Sequence, residues 1–210
     1  VMGELYESLP HLGYAVTALP APSTRAECDV YEAMFNRYSP PALSSQPVGL
    51  DTLSNLLYYS YGVTRTPVAE GSEERSFRIV PSGGALYPLE IYFYAQAVDG
   101  LEPGLYHYDP LKHSVAKLAD QSVREDILGS FLQRDIIEVA PVVMLISGVF
   151  QRATFKYGAR GYRFVLIEAG HVMQNANLAA CAEGLVARNL GGYFDRSLDE
   201  ALDLDGVNHS

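Results

Sequence analysis

The chain has 210 residues, 48% of them apolar and 19% charged, and a formal net charge of −10. That length and balance predict one ordinary domain with a substantial core and exclude a disordered chain. The acidic excess argues against nucleic acid or an anionic membrane as the main partner, while leaving room for a local basic pocket around a phosphate.

Cys28 and Cys181 stand far apart and in no metal-binding or redox spacing, so two free thiols in a reducing cytoplasm are expected. No leader with a basic and then an apolar run is visible, and no apolar run approaches the ~20 residues of a membrane helix. The chain opens on Val1 rather than Met, as a trimmed or excised chain would.

In chain order, residues 1–23 read as an extended lead-in ending at Leu19-Pro20-Ala21-Pro22, and residues 24–210 as the domain proper. Thr24-Arg25-Ala26-Glu27 has the form of a capping box, opening a helix with Tyr31, Met34, Phe35 and Tyr38 at helical spacing. A proline-rich loop follows. Leu50, Leu53 and Leu57 then mark a helix to about Tyr61 that Gly62 ends. Residues 63–77 are polar and predict a mobile surface loop. Strands near Leu89–Val98, Leu105–Tyr108 and Ser114–Leu118, separated by Gly, Pro and Asp turns, predict an antiparallel meander. Ser122–Glu125 reads as a second capping box, for a helix to about Gln133. Val139–Ser147 is a continuous apolar run, the mark of a strand buried on both faces. Tyr162–Glu183 predicts one long, Ala- and Gly-rich central helix, Leu185–Leu190 a strand, and Ser197–Glu200 a third box opening a short helix. Mixed elements without a regular βαβα rhythm favour an α+β fold.

Three segments stand out chemically. Pro81-Ser82-Gly83-Gly84 brings two glycines into a turn where backbone N–H groups can approach a flat ligand, and Gly191-Gly192 repeats the device. Arg37 with Ser39 offers a guanidinium fork and a hydroxyl for a phosphate. Lys156-Tyr157-Gly158 sets an ammonium beside a phenol. Taken singly, each glycine pair reads as a turn, Arg37 as a solvated helix-end cation, and Lys156 and Tyr157 as surface and packing residues. Glu168 and His171 have the i, i+3 spacing of half a di-iron site, but no second Glu-x-x-His exists and no metal is expected. His171 is expected to be a packed or hydrogen-bonded helix residue, and His107 and His113 to lie on the surface.

The joint pattern is more specific. Arg37-Tyr38-Ser39, the run Pro81-Ser82-Gly83-Gly84-Ala85-Leu86-Tyr87-Pro88 and Pro103-Gly104-Leu105-Tyr106 occur in one order with Lys156-Tyr157-Gly158, Glu168-Ala169-Gly170-His171 and Gly191-Gly192-Tyr193-Phe194. Over about residues 24–206 this series resembles the SagB-type (McbC-like) branch of the FMN-dependent nitroreductase superfamily. The resemblance implies a central, mostly antiparallel sheet flanked by helices, and a homodimer with FMN at the subunit interface. It implies oxidation of thiazoline or oxazoline rings in a peptide, with a cyclase as a further partner. Carried over, Arg37 and Ser39 would hold the flavin phosphate or ribityl chain. Pro81, Ser82, Gly83 and Gly84 would line the ring, and Gly191 and Gly192 would bring donors towards it. Lys156 and Tyr157 would be the catalytic pair.

That pair suits the chemistry, because aromatising an azoline removes a hydride and a proton. A free phenol, pKa ~10, is a poor base, and an ammonium close by favours its ionised form. Neighbours in sequence do not share a helical face, so the pair can act together only where the backbone is irregular. Two departures stand against the branch pattern: Pro41 where a second early Arg is usual, and a chain that stops at Ser210, short of a usual final strand and tail. An NAD(P)H-dependent nitroreductase or flavin reductase, and a non-catalytic member of a peptide-modifying complex, are the competing expectations.

Overall fold

The computed structural model describes residues 8–24, 28–66 and 76–210. β1 (Ala15–Ala18) precedes α1 (Val30–Asn36) and α2 (Leu50–Tyr61), and β2 (Val63–Arg65) pairs with β3 (Phe77–Arg78) in a small ribbon. Next come β4 (Leu89–Ala95), β5 (Gly104–Asp109) and β6 (Ser114–Asp120), then α3 (Arg124–Gly129), α4 (Arg134–Ile137) and β7 (Val142–Gly148). The chain continues through α5 (Gln151–Tyr157), the 22-residue α6 (Gly161–Ala182) and α7 (Asp195–Ala201). One five-stranded sheet runs β1-β6-β5-β4-β7 with every pairing antiparallel. The α+β architecture with a long helix against the sheet is the one expected.

Alternation along β4 organises the layers. Leu89, Ile91, Phe93 and Ala95 face α2 and α6, meeting Leu53, Leu57, Tyr61, Val165 and Val172. Tyr92 and Tyr94 face the other way, onto Ile127, Leu128, Phe131 and Leu202. Each such side chain removed from water contributes about 1.5–3 kcal/mol, which fixes the sheet between two helical layers. At the end of α2 the Gly62 N–H reaches the Tyr58 carbonyl at 2.7 Å, and a Cβ on Gly62 would sit 2.6 Å from that oxygen. The helix therefore stops on glycine, as the sequence predicts.

Several expectations are corrected. The 139–147 run is not buried on both faces: β7 starts at Val142 and lies at the sheet edge, alternately covered, and it is β4 that is buried throughout. The carbonyl of Pro141 accepts from Gln96 and Ala97, which fixes where the β7 pairing begins. Leu185–Leu190 forms no strand; Leu185 packs in one core and Leu190 in the other, so this segment crosses between layers instead of pairing. The expected 122–133 helix is a 3₁₀ turn capped by Asp120, then α3 and α4 with a break at Ser130. Ser197 lies inside α7, which begins at Asp195. The Thr24–Glu27 box falls partly outside the described residues; α1 is opened instead by Asp29 and Glu32, each bonding the other's backbone N–H. The polar 63–77 stretch carries β2 and β3 at its ends, while residues 67–75 lie outside the described part. The lead-in is built into the sheet through β1.

Candidate functional site

The Pro81–Pro88 turn is tightly wound. Gly84 has φ +71°, and Ala85 and Tyr87 also adopt positive φ, a costly conformation for residues with a Cβ. The Ser82 hydroxyl accepts from the Tyr87 N–H at 2.9 Å and closes the turn. Beneath it, Tyr61 accepts the Leu89 N–H at 3.1 Å and donates to Glu168 at 2.7 Å. Burial pushes the Glu168 carboxyl above its ordinary range, against the pull of the Ser82 and Tyr61 hydroxyls and Arg78.

Arg152 anchors α5 to this turn. Its guanidinium pairs with Glu90 at 2.5 Å and reaches the Tyr87 carbonyl at 3.4 Å. Burial works to raise the Glu90 carboxyl, but hydrogen bonding to His107 at 2.7 Å and the nearby Arg152 hold it down at about 2. One turn beyond Arg152 come Lys156 and Tyr157. The helix ends there: Tyr157 has φ −112° and ψ 2°, and Gly158 has φ +56° and ψ −145°, which only glycine adopts readily. This irregular backbone lets neighbouring side chains converge. A Cβ on Gly84 would lie 2.6 Å from the Tyr157 hydroxyl and 2.9 Å from the Lys156 ammonium. Tyr157 is steadied by Phe164, ring centroids 4.8 Å apart, and Phe164 also abuts Gly83. Gly83, Gly84, Lys156 and Tyr157 thus form one cluster at the start of α6.

Arg37 stands elsewhere. With Asn36 and Tyr38 it lines a cleft of about 200 Å³ against Asn177, Cys181 and residues 184–187, at the far end of α6. Ser39 is exposed beside it. Arg188 donates to the carbonyls of Pro40 and Pro41, at 3.0 and 3.2 Å, tying this segment to the chain that leads into Gly191-Gly192. The Gly192 carbonyl accepts from Leu132, and a Cβ there would meet Gln133 at 3.0 Å. From Phe164 to Asn177 or Cys181 is about 13–17 residues of helix, or about 20–26 Å. Gly83, Gly84, Lys156 and Tyr157 therefore gather at one end of α6 and Arg37 at the other, while Gly192 lies against Leu132 and Gln133; within a single chain the sequence-predicted residues do not converge.

Sequence reasoning missed other features. His107 is buried against Glu90, and His113 is half-buried and bonded to Ser54 and Tyr108; neither is a surface group. His171 is exposed, not packed. Glu168 is a buried anchor of the turn, and its place on the stripe Val165-Glu168-Val172 was a signal that could have placed it in the core.

The fold is α+β, and the Nitroreductase family model, that of an oxidoreductase family, matches residues 34–210. The chain belongs to the nitroreductase family. Over 176 residues it is 38% identical to the nitroreductase-family protein MJ1384 of Methanocaldococcus jannaschii, spanning 84% of this chain and 85% of that one. Within the family it groups with the McbC-like branch. It is 34% identical over 142 residues to the microcin B17-processing protein McbC of Escherichia coli, covering 64% of this chain and half the length of McbC. The E. coli microcin synthetase McbBCD complex with truncated pro-MccB17 bound superposes with a TM-score of 0.66 at 26% identity, over 92% of this chain and 74% of that one.

Proposed function

We propose that this chain is an FMN-dependent azoline dehydrogenase acting on a peptide, working as a homodimer in which each site takes one half from each protomer. The observation that carries the reading is the meeting of Lys156 and Tyr157 over Gly84, joined with the separation of that cluster from Arg37. A flavin site needs both a ring platform and a phosphate anchor. A second copy packed with its α6 antiparallel to the first would bring the Arg37 end of one chain to the Gly84 end of the other. The surface supports this pairing: Tyr31, Met34 and Phe35 of α1 and Leu166, Ile167 and Met173 of α6 are exposed apolar groups, and α1 packs against α6.

The residues fit the cofactor. On their Cβ sides Gly83 and Gly84 are covered by Phe164, Tyr157 and Lys156, so a planar ring would meet the backbone of the turn beside that pair, and the Arg37 cleft offers a cation to an oxyanion. Arg37 and Ser39 hold the phosphate, Pro81, Ser82, Gly83 and Gly84 form the ring platform, and Gly191 and Gly192 supply backbone donors. The bound flavin provides the hydride acceptor. Tyr157 takes the proton from the azoline ring carbon, with Lys156 beside it at the same turn. The McbBCD complex with truncated pro-MccB17 bound supports a peptide substrate and partner proteins, and a cyclase is proposed among those partners.

The test is a visible spectrum with added FMN, followed by azoline–peptide turnover. Tyr157→Phe and Lys156→Ala should retain flavin absorbance and lose about 10²–10⁴-fold in turnover, the range for a positioned base. A colourless protein that gains no flavin absorbance would sink the reading. A second reading, an NAD(P)H-dependent reductase of small aromatics, is favoured by the fuller coverage of MJ1384. Steady NADPH consumption with nitroaromatics and no azoline oxidation would decide for it.

A further inference from the structure

A cleft of about 370 Å³ lies between β2, β3 and residues 81–87, lined in part by Pro81 and Ser82 of the proposed ring platform. Its lining includes Arg65, Phe77, Arg78, Ser82 and Tyr87, and among the described residues no carboxylate. Among the described lining residues the charged groups are thus two arginines.

Arg78 is the anomaly. It is 4% exposed, and both terminal nitrogens of its guanidinium are buried without a hydrogen-bond partner. The rings of Tyr61 and Tyr87 lie 4.1 and 5.3 Å from its carbon. Ring faces attract the cation, but the N–H donors lie in the guanidinium plane and still require acceptors. A buried cation left so is strongly unfavourable unless something pairs with it. Glu168 acts on it through space, yet forms no ion pair with it within 4 Å, and one Glu168 oxygen is itself unpartnered. Arg65 stands exposed at the rim, its guanidinium 5.4 Å from the Phe77 ring.

We propose that this cleft is an oxyanion subsite, in which Arg78 and Arg65 take a carboxylate or phosphate whose flat apolar body lies against Phe77 and Tyr87. Two planar guanidinium forks suit bidentate oxyanion recognition. The turn is shared with the ring platform, so the inference rests on the proposed reading only in making the occupant part of the reacting ligand: an azoline substrate bearing a carboxylate, or a phosphate-bearing reductant.

The probes are benzoate, phenyl phosphate and neutral benzamide, titrated into the full chain by calorimetry, with flavin content read separately from absorbance. Failure of flavin binding would thus be distinguished from failure of the subsite. Benzoate or phenyl phosphate should bind saturably, benzamide about ten-fold or more weaker, and Arg65→Ala should cost the anion about ten-fold. Tighter binding of benzoate assigns the site to carboxylates, and of phenyl phosphate to phosphates. Arg78→Lys should retain part of the affinity and Arg78→Met none; if either fails to fold, Arg65→Ala decides. Equal affinity for benzamide and the anions, or anion binding unchanged in Arg65→Ala, would overturn the proposal and leave Arg78 as a buried group bridged to Glu168 by water.

Discussion

Gly84→Ala separates the stability of the turn from the poise of the proposed catalytic pair, Lys156 and Tyr157. Alanine at φ +71° costs about 1–2 kcal/mol for the left-handed conformation. The new methyl would also stand 2.6 Å from the Tyr157 hydroxyl and 2.9 Å from the Lys156 ammonium, where 3.4 Å begins ordinary contact. Both are free ends of flexible side chains, so the clash is relieved by moving them about 0.8 Å rather than by breaking the core. Gly13→Ala is the control: its φ is +86°, and nothing lies within 4 Å of the new Cβ. The two variants should therefore unfold within about 4 °C of each other, each some 2–8 °C below the parent, on the scale of about 2–4 °C per kcal/mol for a chain of this size. Turnover should part them. A displacement near 1 Å at a reacting group is worth about 10²-fold, so Gly84→Ala should lose about that factor while Gly13→Ala keeps parental activity. Flavin absorbance and thermal unfolding are read on the same samples. Undiminished azoline oxidation in Gly84→Ala would show that the contact does not poise the pair. A far larger drop in its melting temperature than in the control would show that the contact is structural.

The proposed sharing of each site between two protomers predicts complementation. Arg37→Ala and Tyr157→Phe should each be inactive alone, yet refolding them together should restore about a quarter of the sites, because half the dimers are mixed and each carries one intact pair of half-sites; no recovery would mean that the halves are not shared. Phe35, 90% exposed on α1, belongs to the proposed interface. Phe35→Glu should leave the circular dichroism and monomer fold intact, shift sedimentation towards monomer and weaken flavin binding by more than ten-fold. Glu90, 1% exposed, is held at about 2 against an ordinary 4.5. Its contribution is fully present above about pH 4.5 and is lost as pH falls towards 2, up to about 3 kcal/mol. Glu90→Gln should be less stable at neutral pH and flatten the acid limb of the stability curve, and an unchanged limb would remove Glu90 from the account.

Much of the local structure was legible because it depends on local chemistry. The α2 boundaries follow from the leucine spacing and Gly62, and the β4–β5–β6 meander from glycine and proline turns between alternating runs. The irregular end of α5, which brings Lys156 and Tyr157 together beside Gly84, was readable from Gly158. Where local signals competed, the sequence misled. Three Ser/Thr-x-x-Glu patterns suggested helix starts, but Asp29 and Asp120 do the capping where it is visible. An apolar run at 139–147 read as central, yet continuous hydrophobicity does not say how many neighbours a strand has.

By itself the order of residues determined the class of elements, the glycine turns and the identity of the chemical groups, since these follow from backbone conformation and side-chain type over a few positions. Distance was decided only by tertiary structure. Arg37 and Gly84 look like members of one constellation when written in a line, but α6 is a rigid rod that sets them near its two opposite ends. The burial of Arg78, Glu90 and Glu168 likewise depends on which surfaces the sheet and helices press together, and no local pattern encodes that.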